Sequence, residues 1–387
     1  MKIMEHLLNK QVIDIEISGI RKFFNMVSDI DDLISFTIGQ PDFPTPEHVK
    51  LAGIRSIEED FTSYTHNAGY FELRKAASEF VLKKYGLTYR PEDEIIVTVG
   101  ASEAIDIALR TILTEDDEVI LPGPIYPGYE PIIRICGGIP VHIDTRDSQF
   151  KLTAEKIKPY ITDKTKCIIL PYPSNPTGVS LSEQEIKEIA SLLKNKDIFI
   201  IADEIYSELV YDNPHYSLAS ELREQTIVIN GLSKSHSMTG WRVGFLFADQ
   251  SLCKHFLKVH QYNVSCISSI SQKAAFEALT TGIDDAKLMR EEYFKRREYV
   301  GLRLSEMGLD YVKPDGAFYF FVKIPENFST SSFDFALDLA NKAKLAVVPG
   351  SAFSKYGEGY FRLSYACSTE VLQKGLDRLE TYLNSMK

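Results

Sequence analysis

Several reactive side chains in this sequence come directly after runs of Ile and Val, which are typical of β-strands. Lys234 lies in a Ser/Gly-rich loop after one such run, and Arg242 follows it eight residues later beside the only tryptophan. Asp203 directly follows the apolar run 198–202, so its carboxylate is expected to be partly desolvated and to need a cationic partner. Each residue alone is also typical of an ordinary loop, since a lone lysine in such a loop is usually solvated.

Two further segments place polar groups where predicted strands end. The segment 99–103 runs from a strand into a helix through Gly100 and Ser102, so that backbone N–H groups face the loop and could hold a phosphate. The segment 171–178 must turn sharply at Asn175, which holds an amide at the edge of the sheet. Taken separately, the first segment fits a helix cap and the second a turn.

Together these segments supply the groups that one cofactor, pyridoxal 5′-phosphate, requires. It needs an amine to form a Schiff base, a carboxylate to keep its ring nitrogen protonated and donors for its phenolic oxygen. It also needs an aromatic ring to stack on and a cradle for its phosphate. The combination predicts an enzyme that uses this cofactor.

The order of these motifs resembles the class I and II aminotransferases of fold type I. The resemblance runs from Gly39 to Arg362, and its most specific part is Ser-Lys followed by Arg, with Asp-x-x-Tyr upstream. Within the family, overall similarity is greatest to bacterial enzymes assigned as N-acetyl-L,L-diaminopimelate aminotransferases. The matching motifs are Tyr64, Gly100-Ala-Ser-Glu-Ala, Asn175-Pro-Thr-Gly, Asp203-Glu-Ile-Tyr206, Ser233-Lys234, Met238-Thr-Gly-Trp-Arg242 and Arg362.

The resemblance implies a role for each residue around the cofactor ring. Lys234 would be the Schiff-base lysine and would carry the proton between the substrate Cα and the cofactor C4′. Asp203 would pair with the pyridinium nitrogen, and Tyr206 and Asn175 would hydrogen-bond the phenolic oxygen. Tyr126 matches the position of the ring-stacking aromatic. Cis peptide bonds are expected at Gly123-Pro124 and Asn175-Pro176, by family habit.

The resemblance also implies contacts to the phosphate and to the substrate. The phosphate contacts would come from Ala101, Ser102, Ser233, Arg242 and, from a neighbouring subunit of a homodimer with shared active sites, Tyr64. Many relatives carry a phosphate-binding serine where this chain has Gly231, which is a departure from the family pattern. Arg362 would bind the substrate α-carboxylate bidentately, with Gly39 and Asn175 contributing. Three residues are candidates for reading the substrate side chain: Arg21, Lys22 and His236.

The elements that must position these residues follow from the alternation of apolar runs and helical patterns. Alternation from about residue 94 to 250 predicts an α/β fold with a mainly parallel seven-stranded sheet. Later segments predict a small α+β domain. We expect an N-terminal segment over 1–45 that packs with the small domain, a large cofactor-binding domain over 46–290 and the small domain over 291–387. The expected fold is the pyridoxal-phosphate-dependent transferase fold type I.

Composition excludes several other classes of protein. The net charge is −11, and no run of Lys or Arg is long enough to make a basic patch, which argues against nucleic-acid binding. Charges at the start of the chain and the lack of an apolar stretch of about 18 residues predict a cytoplasmic protein with no membrane contact. Neither Cys-x-x-Cys nor His-x-x-x-His occurs, so no metal site is expected.

Other functions compete with transamination at this stage. A nucleotide-binding oxidoreductase would need Gly-x-Gly-x-x-Gly after the first strand, and a serine hydrolase would need Gly-x-Ser-x-Gly; the sequence has neither. A carbon–sulfur β-lyase stays open, because such enzymes use the same lysine, aspartate, tyrosine and arginines. An aspartate or aromatic aminotransferase is the other alternative. Glutamate and 2-oxoglutarate are the expected second substrate pair, by family habit.

Overall fold

The computed structural model describes residues 4–328 and 331–385. The predicted N-terminal segment and small domain include residues 1–3, 329–330 and 386–387, which lie outside the described residues. The strands are β1 Ile34–Ser35, β2 Ile95–Val99, β3 Glu118–Gly123, β4 Ile139–Asp144, β5 Thr165–Leu170, β6 Phe199–Asp203, β7 Thr226–Gly231, β8 Val243–Phe247, β9 Tyr319–Lys323, β10 Leu345–Ala346, β11 Val348–Pro349 and β12 Tyr360–Ser364. The helices are α1 Lys10–Ile13, α2 Gly19–Val27, α3 Glu47–Glu58, α4 Phe71–Tyr85, α5 Gly100–Ile112, α6 Tyr129–Ile135, α7 Ala154–Ile157, α8 Glu183–Leu193, α9 Leu232–Ser235, α10 Gln250–Val264, α11 Ser269–Leu279, α12 Ala286–Glu306, α13 Ser332–Ala343 and α14 Thr369–Ser385.

The predicted mainly parallel sheet is confirmed. Its seven strands lie in the order β2-β8-β7-β6-β5-β3-β4, and β8 alone in this sheet runs antiparallel to its neighbours β2 and β7. The carboxyl ends of β5, β6 and β7 therefore meet at one edge. Because β8 is reversed, the residue that precedes it, Arg242, lies at that same edge.

The apolar strands are covered on both faces, as parallel strands usually are. One face packs against α5 and α10, where Ile107 and Phe256 are fully buried. The other face packs against α4 and α8, where Leu73 and Ile189 are fully buried. Each such side chain stabilises the fold by roughly 1.5–3 kcal/mol. The strands that end at this edge are thus fixed by packing on both faces of the sheet.

Local signals explain where the predicted helices begin and end. α8 begins after Ser182, whose hydroxyl accepts from the backbone N–H of Glu185 while the Glu185 carboxylate accepts from the backbone N–H of Ser182. α4 ends at Gly86, which has a φ of 71°. The apolar spacing predicts helices over 72–85 and 182–193, and the structure agrees with both predictions to within one residue.

A second, smaller sheet has the order β11-β12-β9, and β10 pairs with β1 from near the start of the chain. Phe23 on α2 also meets Phe333 on α13 edge to face, with ring centroids 6.1 Å apart. These contacts support the proposed packing of segment 1–45 with the small domain. The proposed division near residue 290 falls within α12, which is continuous. In the described part of the chain, no helix combines the length and apolar character needed to cross a membrane.

Candidate active site

A cavity of about 820 Å³ opens at the sheet edge where the carboxyl ends of β5, β6 and β7 meet. All the residues predicted to bind the cofactor or the substrate α-carboxylate, except Tyr64, line it. These are Gly39, Ala101, Ser102, Tyr126, Asn175, Asp203, Tyr206, Ser233, Lys234, Arg242 and Arg362. The walls also include Ile20, Arg21 and Phe24 from α2. Residues that are far apart in sequence are therefore brought to one site by the sheet topology.

Lys234 lies on the single turn of α9, directly after β7. Its Nζ donates a hydrogen bond of 2.6 Å to the carbonyl of Gly39 and lies 5.7 Å from the ring centre of Tyr206. Burial lowers the pKa of Lys234 to about 8, and the charges of Arg362 and Arg242 act in the same direction. The neutral fraction of this amine near neutral pH is thus larger than that of an exposed lysine.

Asp203 is the last residue of β6 and is buried. Its Oδ1 accepts from the backbone N–H of Ile205 at 3.2 Å, and its Oδ2 accepts from the hydroxyl of Tyr129 at 2.6 Å. Burial raises the pKa of Asp203, while these two hydrogen bonds oppose that rise. A buried carboxylate facing a cavity suits a cationic partner.

Tyr206 and Asn175 are each held by a neighbour in the cavity wall. The hydroxyls of Tyr206 and Tyr319 lie 2.8 Å apart, and both side chains are buried. The Oδ1 of Asn175 accepts from Nη1 of Arg362 at 2.9 Å, which leaves the amide N–H groups of Asn175 free to face the cavity. The expected cis bonds at 123–124 and 175–176 are both present, with a third at 172–173.

Arg362 lies in the middle of β12 and is 2% exposed. Its Nη2 donates to the carbonyl of Thr37 at 2.7 Å, and its guanidinium packs 4.4 Å from the ring centre of Tyr319 and 5.1 Å from that of Phe353. Its Nε has no hydrogen-bond partner among the described residues. Since a buried cation is costly without an anion, this guanidinium is suited to a carboxylate ligand.

The first turn of α5 and Arg242 lie together on another part of the wall. Gly100 has a φ of 74°, and a Cβ on it would lie 2.5 Å from Nη2 of Arg242, so glycine is required at this contact. Arg242 Nη1 donates to the carbonyl of Thr239 at 2.9 Å. The N-cap side chain, that of Val99, accepts no hydrogen bond from residues 4–328 or 331–385, and the Glu103 carboxylate accepts from the backbone N–H of Val99 itself, so the N–H groups of Ala101 and Ser102 are left for an anion.

Gly231 stands where many relatives carry a phosphate-binding serine, and steric crowding explains this difference. A Cβ at this position would lie 2.9 Å from the carbonyl of Val243 and 3.2 Å from the Cα of Gly244. A serine would therefore force β7 and β8 apart. Ser233 lines the cavity and carries a hydroxyl two residues later.

Three residues were considered for contact with the substrate side chain. Arg21 lines the cavity, whereas Lys22 and His236 do not. Arg21 is exposed, lines the cavity mouth and makes no ion pair within the described ranges. Lys22 lies outside the lining and pairs with Glu16 at 2.7 Å. His236 is buried below the cavity, where its ring nitrogens contact Ser235 and the carbonyl of Gly282. The prediction for His236 is therefore wrong, because this ring faces the protein interior.

Tyr64 is 88% exposed and does not line the cavity of its own chain.

Three other residues hold the site together and were not predicted from the sequence: Tyr129, Tyr319 and Thr37. Tyr129 comes three residues after Tyr126, and that spacing places two aromatic side chains near each other at the start of α6. This spacing is the one signal that could have identified it.

The cavity lining fits pyridoxal phosphate. Arg242, two serine hydroxyls and a helix N-terminus suit a phosphate, and the buried Asp203 carboxylate suits a protonated ring nitrogen. The amine of Lys234, with its lowered pKa, suits an aldehyde. Arg362 is left for the substrate.

Comparison with known proteins agrees with this chemistry. Residues 31–379 match the family model for aminotransferase class I and II. A probable N-acetyl-LL-diaminopimelate aminotransferase of Bacillus subtilis is 63% identical over 380 residues, covering 98% of this chain and 96% of the relative.

Solved structures agree as well. The aromatic aminotransferase of Pyrococcus horikoshii superposes with a TM-score of 0.89 at 38% identity, covering 95% of this chain and 99% of the other. The aspartate aminotransferase of Rhizobium meliloti superposes with a TM-score of 0.91 at 35% identity, covering 97% and 98%. These relatives are named as aminotransferases, which favours transamination over the β-lyase alternative. The chain belongs to the class I and II aminotransferase family and is a pyridoxal-phosphate-dependent aminotransferase.

Proposed function

We propose that this aminotransferase moves the free amino group of N-acetyl-L,L-diaminopimelate to 2-oxoglutarate, as a step of lysine biosynthesis. The strongest support is the 63% identity to the Bacillus subtilis relative. The structure adds that Arg362 and Arg21 line one cavity, so that a substrate with two carboxylates has a guanidinium for each. An aspartate or aromatic amino acid is the alternative donor, and other relatives carry those names.

The proposed roles at the cofactor follow from the contacts described above. When bound, pyridoxal phosphate supplies an electron sink that makes the substrate Cα proton acidic. Lys234 would hold the cofactor covalently, and its amine would move the proton between the substrate Cα and the cofactor C4′. Asp203 binds the ring nitrogen, and Tyr206 and Asn175 donate to the phenolic oxygen. Tyr126, which is partly exposed in the cavity wall, stacks on the ring.

The remaining wall residues bind anions. Arg242, the hydroxyls of Ser102 and Ser233 and the N–H groups at Ala101 hold the phosphate. Arg362 binds the substrate α-carboxylate. The orientation of its guanidinium is fixed, because its two terminal nitrogens donate to Asn175 and to the carbonyl of Thr37. Gly39 presents its carbonyl to Lys234 and its backbone to the same carboxylate.

The proposed substrate can be tested with a panel of amino donors and 2-oxoglutarate, measured by amino-acid analysis. N-Acetyl-L,L-diaminopimelate should have the highest kcat/KM, above aspartate and tyrosine. A higher value for aspartate or tyrosine would replace the proposal with the corresponding alternative.

Arg21→Gln should raise the KM for N-acetyl-L,L-diaminopimelate by about tenfold or more, since a hydrogen bond to a charged group contributes about 1.5–3 kcal/mol. It should leave the KM for N6-acetyl-L-lysine unchanged, because that compound lacks the distal carboxylate. Lys22→Gln is the matched control, because Lys22 is the neighbouring cation but lies outside the cavity and pairs with Glu16. Equal effects of Arg21→Gln on both substrates would show that Arg21 does not read the distal carboxylate.

We further propose that the active unit is a homodimer in which each subunit contributes Tyr64 to its partner's site. The support is the exposure of Tyr64 together with apolar side chains on the outer face of α3 and on α4. Leu51, Ile54, Ile57 and Phe71 are each more than 40% exposed. An apolar surface of this kind is typical of a subunit interface.

Mixed dimers test this arrangement. Lys234→Ala combined with Tyr64→Ala should restore about half of the wild-type activity per mixed dimer, because one site receives both changes and the other neither. Lys234→Ala combined with Arg242→Ala is the control and should restore nothing, since both residues line the cavity of their own chain. If mixed dimers with Tyr64→Ala form and stay inactive, Tyr64 does not cross the interface. The cytoplasmic location also stays a prediction, which cell fractionation checks.

A further inference from the structure

Tyr129 connects two parts of the proposed cofactor site without being a member of either. Its hydroxyl lies 2.6 Å from Oδ2 of Asp203, and its ring meets that of Tyr126 edge to face, with centroids 5.7 Å apart. The side chain is 2% exposed. It is thus a buried group placed between the carboxylate proposed for the ring nitrogen and the aromatic proposed to stack on the ring.

The direction of this hydrogen bond is fixed by chemistry. An ionised carboxylate is an acceptor only, so the phenol must be the donor. Burial raises the pKa of the Tyr129 phenol well above its usual value, and the charge of Asp203 adds to this rise, so the phenol keeps its proton. With the N–H of Ile205 on Oδ1, both carboxylate oxygens of Asp203 are held.

We infer that Tyr129 is a positioning residue, whose hydroxyl aims the Asp203 carboxylate at the cofactor ring nitrogen and so strengthens cofactor binding. Among residues 4–328 and 331–385, the other hydrogen bond to the Asp203 carboxylate comes from the nearby backbone N–H of Ile205. Rotation of its side chain would move the carboxylate away from a ring nitrogen, and the bond from α6 prevents that rotation. The inference rests on the proposed pairing of Asp203 with the ring nitrogen.

The test compares two ligands that differ at one atom. Apoenzyme is titrated with pyridoxamine 5′-phosphate and with its 1-deaza analogue, in which carbon replaces the ring nitrogen, and Kd is measured by fluorescence. Neither ligand reacts with Lys234, so both constants report noncovalent binding. Tyr129→Phe should raise the Kd of pyridoxamine 5′-phosphate about tenfold, by analogy with the 10–100-fold cost of removing a group that orients a metal ligand. It should leave the Kd of the deaza analogue unchanged.

Tyr382→Phe is the matched control, because Tyr382 also donates to a carboxylate, that of Asp338 at 2.7 Å, and does not line the cavity. It should change neither constant. Replacement of Tyr129 by 4-aminophenylalanine keeps a donor of similar reach and should give a Kd between those of wild type and Tyr129→Phe. This second variant decides the matter if Tyr129→Phe does not fold.

The results distinguish a failure of the inference about Tyr129 from a failure of the proposed pairing between Asp203 and the ring nitrogen. If the wild-type apoenzyme does not prefer pyridoxamine 5′-phosphate over the deaza analogue, the pairing of Asp203 with the ring nitrogen is wrong. If wild type shows the preference and Tyr129→Phe keeps it in full, the pairing stands and the inference about Tyr129 is overturned. Equal weakening of both ligands would likewise overturn it, because Tyr129 would then act only through packing.

Discussion

Replacement of Lys234 by alanine should lower the rate of transamination by more than about 10⁴-fold and leave the protein able to bind its cofactor. A lone general base contributes about 10²–10⁴-fold, and this change also removes the amine that holds the cofactor covalently. The phosphate contacts should survive, because Arg242 and the first turn of α5 do not depend on Lys234. Single-turnover rates and cofactor titration measure the two effects separately.

Chemical trapping checks the same assignment directly. Borohydride should fix the cofactor on the peptide that contains Lys234 in the wild-type enzyme and on no peptide in Lys234→Ala. Lys151→Ala is the matched control, since Lys151 is a half-buried lysine paired with Glu185 outside the cavity. Wild-type turnover by Lys234→Ala would disprove the assignment.

Arg362→Lys should lower kcat/KM about 10²–10³-fold for every amino donor. Truncating one partner of a buried, hydrogen-bonded charge pair costs roughly 2–5 kcal/mol, and a lysine does not reproduce the bidentate geometry. The loss should be the same for N-acetyl-L,L-diaminopimelate and for N6-acetyl-L-lysine, because both have the α-carboxylate. This uniform effect contrasts with the selective effect expected of Arg21→Gln.

Arg297→Lys is the control for this change. Arg297 is also fully buried and binds Asp212 through both terminal nitrogens, at 2.6 and 2.9 Å, but it lies outside the cavity. This control should lose stability to heat, while its kcat/KM should stay near the wild-type value. A kcat/KM for Arg362→Lys within about threefold of wild type would show that another group binds the α-carboxylate.

Much of the fold follows from the sequence because its signals are local. Most of the seven strands of the large sheet are continuous apolar runs, and helix α8 begins with a capping box, so their bounds depend on nearby residues. The short pairing of β1 with β10 was not predicted. It joins Ile34 to Leu345, and a two-residue strand carries too little pattern to be recognised.

In the active site too, residues with local sequence signals were predicted, and residues that act through distant contacts were not. Lys234 and Asp203 were predicted because each follows a strand and belongs to a motif. Tyr319 and Thr37 were missed because they act through contacts with Tyr206 and Arg362, which are distant in sequence. His236 was wrongly included as a candidate, since closeness to Lys234 in sequence does not decide which way a side chain points.

The reversal of β8 has a consequence for how this part of the chain can change in length. Gly231 and Gly244 face each other on β7 and β8, so the loop between them leaves the sheet and returns to it at the same edge. This segment is exposed at Gly240 and Arg242, and exposed loop positions generally tolerate inserted residues. Here an insertion between Lys234 and Arg242 would leave both strands paired and yet alter the separation of the amine from the guanidinium. The length of this loop therefore sets the distance between the Lys234 amine and the Arg242 guanidinium.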